Sequence, residues 1–402
     1  MVHTSGGVAF RPAPAAAISG RIPSVDALRG IAVVLMAIDH VRVYSGLPAG
    51  GPTVGIFFTR WITHFVAPIF VFLAGTAAYL HGQKLGERSK LARFLVIRGL
   101  WLIFLELTVI RLAWTFNLDV GSYVLAGVIW VIGWSMVVLA GLVFLPTPAI
   151  GAFAVVLIAG HNVMDLIARP QMDAIRESSV SWLWGLAYFA FEVDGIGPLV
   201  VLYALVPWVG VMAAGYAFGS LLTGEATDRR RLCLSLGTTA VLLFVVLRTV
   251  NGYGDPRPWQ PSPSWADTTL SFLNTSKYPA SLMFLLMTLG PALMLVPLLE
   301  VSNHRLTRAL EVFGRVPMFY YLLHIPLIHL LAIGVSLLRT GSVNPWLFDN
   351  HPMGNGPAPD GYMWSLGLLY FVTAIAVALL YVACRWYGGV KRVSRNPLLR
   401  YL

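Results

Sequence analysis

The sequence predicts an all-α polytopic transmembrane bundle of about ten helices, with both termini in the cytoplasm. Three observations carry that expectation. Of 402 residues, 57% are hydrophobic and only 11% charged, with a mean hydropathy of +0.74, against roughly 25% charged in soluble domains. Apolar stretches of roughly 20 residues, enough to cross a bilayer, recur along the chain. Basic residues gather in alternate connecting segments, as the positive-inside rule requires.

The ten predicted spans are residues 28–47, 61–80, 99–116, 123–145, 149–165, 198–222, 232–249, 278–300, 316–338 and 362–384. The fifth is the shortest. With the N-terminus inside, the inner segments hold most of the 28 Lys and Arg: Arg11, Arg21 and Arg29; Lys84, Arg88, Lys90, Arg93 and Arg98; Arg229, Arg230 and Arg231; Arg305, Arg308 and Arg315; Arg385, Lys391, Arg392, Arg395 and Arg400. Asp165, Asp173, Glu177, Glu192, Asp194, Asp255, Asp267, Asp349 and Asp360 fall on the outer side. The net charge of +10 therefore reports topology, and no nucleic-acid partner is expected.

Residues 1–20 are small and polar and lack the basic start and apolar stretch of a signal peptide. They read as a disordered cytoplasmic tail. Residues 21–385 form the membrane domain, and 386–402 a basic cytoplasmic tail. Cys233 and Cys384 fall near inner helix ends, too few for a disulfide framework and with no base beside either for nucleophilic catalysis. Three long outer loops, 166–197, 250–277 and 339–361, are rich in Trp, Pro and Gly. Trp182/Trp184 and Trp259/Trp265 suit interfacial anchoring, or the lining of an outer site for a sugar-like or lipid-like molecule. Small residues across Gly210–Gly219 suit close helix packing.

Ionisable residues inside spans are costly and mark function by default. In the first span, Ser24 or Asp26 can cap the helix, and Asp39 and Arg42 stand at i,i+3, where they can neutralise one another. Arg29, Val33, Met36 and His40 share a stripe. Arg29 and His40 are roughly 16 Å apart along a helix, so one face reaches from a cytoplasmic anion to an outer group. In the second span, Arg60, His64 and Pro68 share a face, which sets His64 at the depth of His40. Two imidazoles with a carboxylate and arginines suit proton transfer. Glu106, near mid-membrane in the third span, needs a partner such as Arg111 or Arg42. His161, Asn162 and Asp165 end the fifth span. In the ninth, His324 lies in the inner third and His329 near the middle, each readable as a hydrogen-bonded core residue. No HExxH-like spacing suggests a metal, and no Walker loop, dinucleotide fingerprint or GxSxG elbow is present.

Several blocks resemble a known family. Residues 21–30 (RIPSVDALRG) with Leu35-Met36 and Asp39-His40 are similar to the opening of the catalytic domain of heparan-α-glucosaminide N-acetyltransferase and its bacterial relatives. Residues 58–75 (FTRWITHFVAPIFVFLAG), Arg98 to Leu102, Glu106-Leu107, and the stretch from Phe313-Gly314-Arg315 to His324-Ile325-Pro326 continue the likeness. The resemblance implies a transmembrane acetyltransferase of a bacterial inner membrane, moving an acetyl group from cytoplasmic acetyl-CoA to an acceptor on the far side. The family's catalytic pair is an Asn ending the first helix and a His in the following loop. Here His40 stands at the Asn position, residues 45–58 contain no His, and the nearest imidazole is His64.

The resulting expectation is an acyl-CoA-dependent acyltransferase with no metal. Arg29, Arg98 and Arg315, with His324, meet the cofactor. His40 and His64, with Asp39 orienting one imidazole, act as base towards a hydroxyl or amine of a sugar-like acceptor. Arg42 or Arg60 stabilises the oxyanion, and Glu106 joins that ion-pair group. Lipids surround the bundle, and a homodimer is left open. The alternatives are a proton-coupled transporter and a non-catalytic scaffold.

Overall fold

A computed structural model describes residues 22–51, 53–121, 123–189, 199–352 and 358–394. The tail with Arg11 and Arg21, the acidic Glu192 and Asp194, and the terminal Arg395 and Arg400 lie outside the described residues.

Helices dominate. Six are long and apolar enough to cross a membrane: Val54–Leu85, Thr147–Glu177, Ala226–Val250, Leu282–Val301, Pro317–Thr340 and Leu366–Val393. Two shorter apolar helices are Val128–Leu142 and Leu205–Leu221. The first helix, Pro23–Ser45, is more polar and carries the Asp39–Arg42 pair. The protein is thus a multi-pass membrane protein.

The first helix opens with Pro23, whose fixed φ suits a first helical position, and among the described residues no side chain caps it. Asp26, expected as a cap, instead accepts a hydrogen bond from Arg29 at 3.1 Å. Gly46 ends the helix at φ 73, a left-handed turn that glycine adopts without strain.

The fourth and sixth spans begin later than their hydropathy suggests. Val124–Ala126 and Leu199–Val201 form a two-stranded parallel sheet, with Val124 opposite Leu199. Helix resumes only at Val128 and Leu205. Valines favour this extended pairing, and hydropathy does not distinguish a buried strand from a helical turn.

The second span is interrupted. Helix Val54–Trp61 passes through a 3₁₀ turn, Ile62–Phe65, before Val66–Leu85. The third span contains a π-helical turn, Glu106–Ile110, between Arg88–Leu105 and Arg111–Thr115.

Helices meet through glycines. A Cβ on Gly215 would lie 1.9 Å from the Phe72 carbonyl oxygen, and one on Gly314 only 1.8 Å from that of Asp26. The helix 205–221 therefore sits backbone-on-backbone against 66–85, and 305–314 against the first helix.

Two buried arginines fasten the loops. Arg111 donates to the carbonyls of Asn117, Asp119 and Tyr123, so it secures a loop rather than serving Glu106. Arg248 donates to the carbonyls of Phe272, Arg257, Ser271 and Asn274 and lies 3.9 Å from Asp255. That network fixes segment 250–277 over the bundle. Trp259 joins it through the Arg248 carbonyl, whereas Trp265 is 82% exposed. None of the four loop tryptophans lines the cavity described below.

Candidate functional site

Two cavities lie at opposite ends of the first helix. The one at its C-terminal end, about 110 Å³, is lined by Asp39, His40, Arg42, Arg60, Glu106, Tyr203, Lys277, Tyr278 and Tyr321 among others. The one at its N-terminal end, about 420 Å³, is lined by Asp26, Arg29, Lys84, Thr223, Gly224, Arg229 and Glu300 among others. Arg29 lines the one and His40 the other, with Val33 and Met36 buried between them on the same stripe.

His40 is the centre of the smaller cavity. Its Nδ1 lies 2.7 Å from Nε2 of His324, and the two rings stack with centroids 4.8 Å apart. Trp114 meets His40 edge-on at 4.8 Å. Nδ1 of His324 faces the carbonyl oxygens of Tyr321 at 2.6 Å and Tyr320 at 3.2 Å. Carbonyls only accept, so this Nδ1 carries the proton and Nε2 of His324 is an acceptor. Nδ1 of His40 therefore donates to it. In the neutral dyad Nε2 of His40 keeps its lone pair, and it has no protein partner among the described residues. His324, expected with the inner arginines, is thus a partner of His40. Helix 317–340 packs on the first helix, and that contact sets its depth.

Asp39 does not orient an imidazole. Its Oδ1 accepts from Arg42 Nε at 3.2 Å and Nη2 at 3.1 Å, and Arg42 also donates to the Leu47 carbonyl at 3.1 Å. The expected i,i+3 pair is present, and it holds Arg42 in place.

His64 is turned away. A 3₁₀ turn has three residues per turn, so the face that Arg60 and His64 would share on an α-helix is rotated apart. Arg60 lines the cavity; His64 does not. Its imidazole is buried, meets Phe284 edge-on at 5.4 Å, and neither nitrogen has a hydrogen-bond partner among the described residues.

Glu106 forms no ion pair among the described residues. Its Oε2 accepts from the backbone N–H of Ile129 at 2.9 Å and of Trp130 at 3.2 Å, the first turn of helix 128–142. Orphan amides and the helix dipole there favour a carboxylate. A Cβ on Gly127 would fall 2.6 Å from Glu106 Oε1, so glycine makes room for this contact.

In the larger cavity, Arg29 donates to Asp26 and to the Gly314 carbonyl, each at 3.1 Å. Arg229 pairs with Glu300. Arg98 and Arg315, expected beside Arg29, do not line this cavity; Arg315 turns back to Glu311 at 2.5 Å. Lys84 and Arg229 take the places expected for them.

The remaining polar residues of the spans are fastened structurally. Asp165 accepts from Asn162, Arg169 and Tyr188. Nε2 of His161 lies 2.8 Å from the Ala280 carbonyl. His329 stacks between Tyr44 and Phe116. No cluster suited to a metal occurs among the described residues.

Sequence reading missed Lys277. It is the one lysine of four outside the inner segments, it is only 6% exposed, and it reaches the cavity beside His40. That lone outer lysine at the mouth of an apolar span was the available signal.

These features define a multi-pass helical membrane protein whose bundle encloses a charged, histidine-bearing cavity. The chain belongs to the heparan-alpha-glucosaminide N-acetyltransferase catalytic-domain family, whose model matches residues 21–248. No curated protein matches the chain.

Proposed function

We propose that the protein is an acyl-CoA-dependent acyltransferase with two-sided access, carrying an acetyl group from cytoplasmic acetyl-CoA to a hydroxyl or amine of a sugar-like acceptor on the outer face of a bacterial inner membrane. The observation that carries this reading is the His40–His324 dyad. It leaves an unprotonated Nε2 on His40 in a charged cavity, at one end of a helix whose other end presents Arg29 in a second, larger cavity.

The N-terminal end of the first helix faces the cytoplasm, as the basic segments predict. CoA phosphates bind at Arg29, Lys84 and Arg229, and the thioester reaches towards His40. Nε2 of His40 removes the acceptor's proton as its oxygen or nitrogen attacks the thioester carbon. His324 accepts from Nδ1 and holds the ring in register while it is positively charged. The oxyanion forms beside Arg60, and Arg42 stays fixed by Asp39; preorganised cations in a water-poor site act strongly on such charge. Collapse breaks the C–S bond, and the leaving thiolate takes the proton back from His40. The products are acylated acceptor and free CoA.

General base catalysis contributes about 10²–10⁴-fold. Turnover of His40→Ala should fall by that order while acetyl-CoA binding, read by calorimetry in detergent, persists. A His40→Ala protein with full turnover would remove the assignment.

A proton-coupled transporter draws support from the 3₁₀ and π turns in consecutive spans, since transporters use interrupted helices near their sites. That reading requires solute flux into vesicles without CoA.

A further inference from the structure

We propose that Lys277, with Arg60, forms an anion-binding subsite beside His40, and that the acceptor carries a carboxylate or phosphate close to its reacting group. This rests on the acyltransferase reading, but the subsite itself is testable without turnover.

Five fixed ionisable side chains other than His40 and the tyrosines line the cavity: Asp39, Arg42, Arg60, Glu106 and Lys277. Arg42 is matched by Asp39 through two hydrogen bonds. Glu106 is directed at the amides of Ile129 and Trp130. Lys277 and Arg60 have neither an ion pair nor a side-chain hydrogen bond among the described residues. Two cations therefore face the cavity with no ion-pair partner of their own, the nearby Asp39 being already bound by Arg42, whereas addition to a thioester creates a single negative charge. One cation answers the oxyanion and the other remains.

Lys277 is not a surface lysine caught by chance. It is 94% buried, the complement of its 6% exposure. Its ammonium lies 5.3 Å from the ring of Tyr278 and 5.9 Å from that of Tyr203, so aromatic faces orient it. The loop that carries it is fastened by Arg248. An unmatched buried ammonium is costly, and a bound oxyanion would offset that cost. The same field disfavours an acceptor arriving as an ammonium ion. Lys277 lies beyond the matched family region of 21–248, and Arg60 lies within it.

The test is calorimetric binding to the purified full chain in detergent, with CoA present at saturation so that the other cavity is filled. Glucose 6-phosphate is compared with glucose, and glucuronate with glucose; the two pairs distinguish phosphate from carboxylate. The expected result is at least tenfold tighter binding of one anionic member than of its neutral partner. Lys277→Met abolishes that preference and Lys277→Arg restores it. Acetyl-CoA titration of the same samples checks the fold and tests the acyltransferase reading separately. If Lys277→Met does not fold, Arg60→Gln replaces it with the same expectation. Equal binding of neutral and anionic members, or an anion preference that survives both substitutions, overturns the subsite.

Discussion

Nδ1 of His40 donates to Nε2 of His324, 2.7 Å away and 284 residues later in the chain. In the proposed mechanism, the role that a carboxylate usually plays behind a catalytic histidine falls to a second imidazole, itself locked by the carbonyls of Tyr320 and Tyr321. A carboxylate would add a charge to a low-dielectric site; a neutral imidazole sets the tautomer without one.

That relationship yields the first prediction. His324→Phe keeps the ring volume but removes the acceptor, so His40 loses its fixed rotamer. Misplacing a catalytic group by about 1 Å can cost on the order of 10²-fold. Steady-state kinetics should show kcat down by about that factor with the KM for acetyl-CoA unchanged. An unaltered kcat would reduce His324 to a packing residue.

The two cavities separate the inner arginines into classes. A hydrogen bond to a charged group contributes about 1.5–3 kcal/mol, so Lys84→Ala and Arg29→Ala should each weaken acetyl-CoA binding by roughly ten- to a hundredfold. Arg98→Ala and Arg315→Ala, outside the cavity, should leave Kd within about threefold of wild type, the few-tenths range of surface substitutions. Titration calorimetry on the four variants decides it; a reversed order would relocate the cofactor.

Glu106 stabilises a helix start. Glu106→Ala leaves two buried amides without an acceptor, at about 1–3 kcal/mol each, whereas Glu106→Gln keeps one oxygen for them. Thermal unfolding in detergent should place Glu106→Gln between wild type and Glu106→Ala, and Glu106→Gln should retain turnover. Loss of turnover in a stable Glu106→Gln would instead bring this carboxylate into the chemistry.

Gly314→Ala puts a methyl group 1.8 Å from the Asp26 carbonyl and displaces the carbonyl that Arg29 binds. Overpacking of this kind costs typically 1–3 kcal/mol. Both a lower unfolding temperature and weaker CoA binding are expected, because one contact serves both. A stable variant with normal CoA affinity would mean that the helix pair separates freely.

His351, in the loop before the last helix, stacks on Tyr123 with centroids 3.7 Å apart. Burial, helped by the positive charge of Arg111, pushes its pKa down to about 4. Between pH 6.5 and 4 the unfolded chain therefore binds more protons than the folded one at this residue. Stability is complete above about pH 6.5 and falls as pH drops towards 4, by up to about 1.4 kcal/mol per unit. His351→Phe keeps the stack and should flatten that part of the unfolding-temperature profile. An identical profile in the variant would place the acid sensitivity elsewhere.

The helical membrane class was legible because it rests on composition and window hydropathy, which are local. The i,i+3 pairing of Asp39 with Arg42 and the stripe from Arg29 to His40 were legible for the same reason, since helix geometry alone sets them. The strands at 124–126 and 199–201 were not, because a buried apolar triplet reads alike in either conformation and their pairing spans 75 residues. Arg60 and His64 were placed on one face by an α-helical count that the 3₁₀ turn breaks.

The sequence by itself determined a membrane-spanning helical chain, and it placed His40 and Arg29 on one face of one helix. Only the tertiary structure decided what those residues meet. His324 arrives from a helix almost three hundred residues away, Lys277 from a loop fastened by Arg248, and the amides that hold Glu106 from the start of a neighbouring helix. Periodicity fixes which side chains share a face. The partner across that face is set by helix packing and loop closure between distant segments, and no local pattern encodes it.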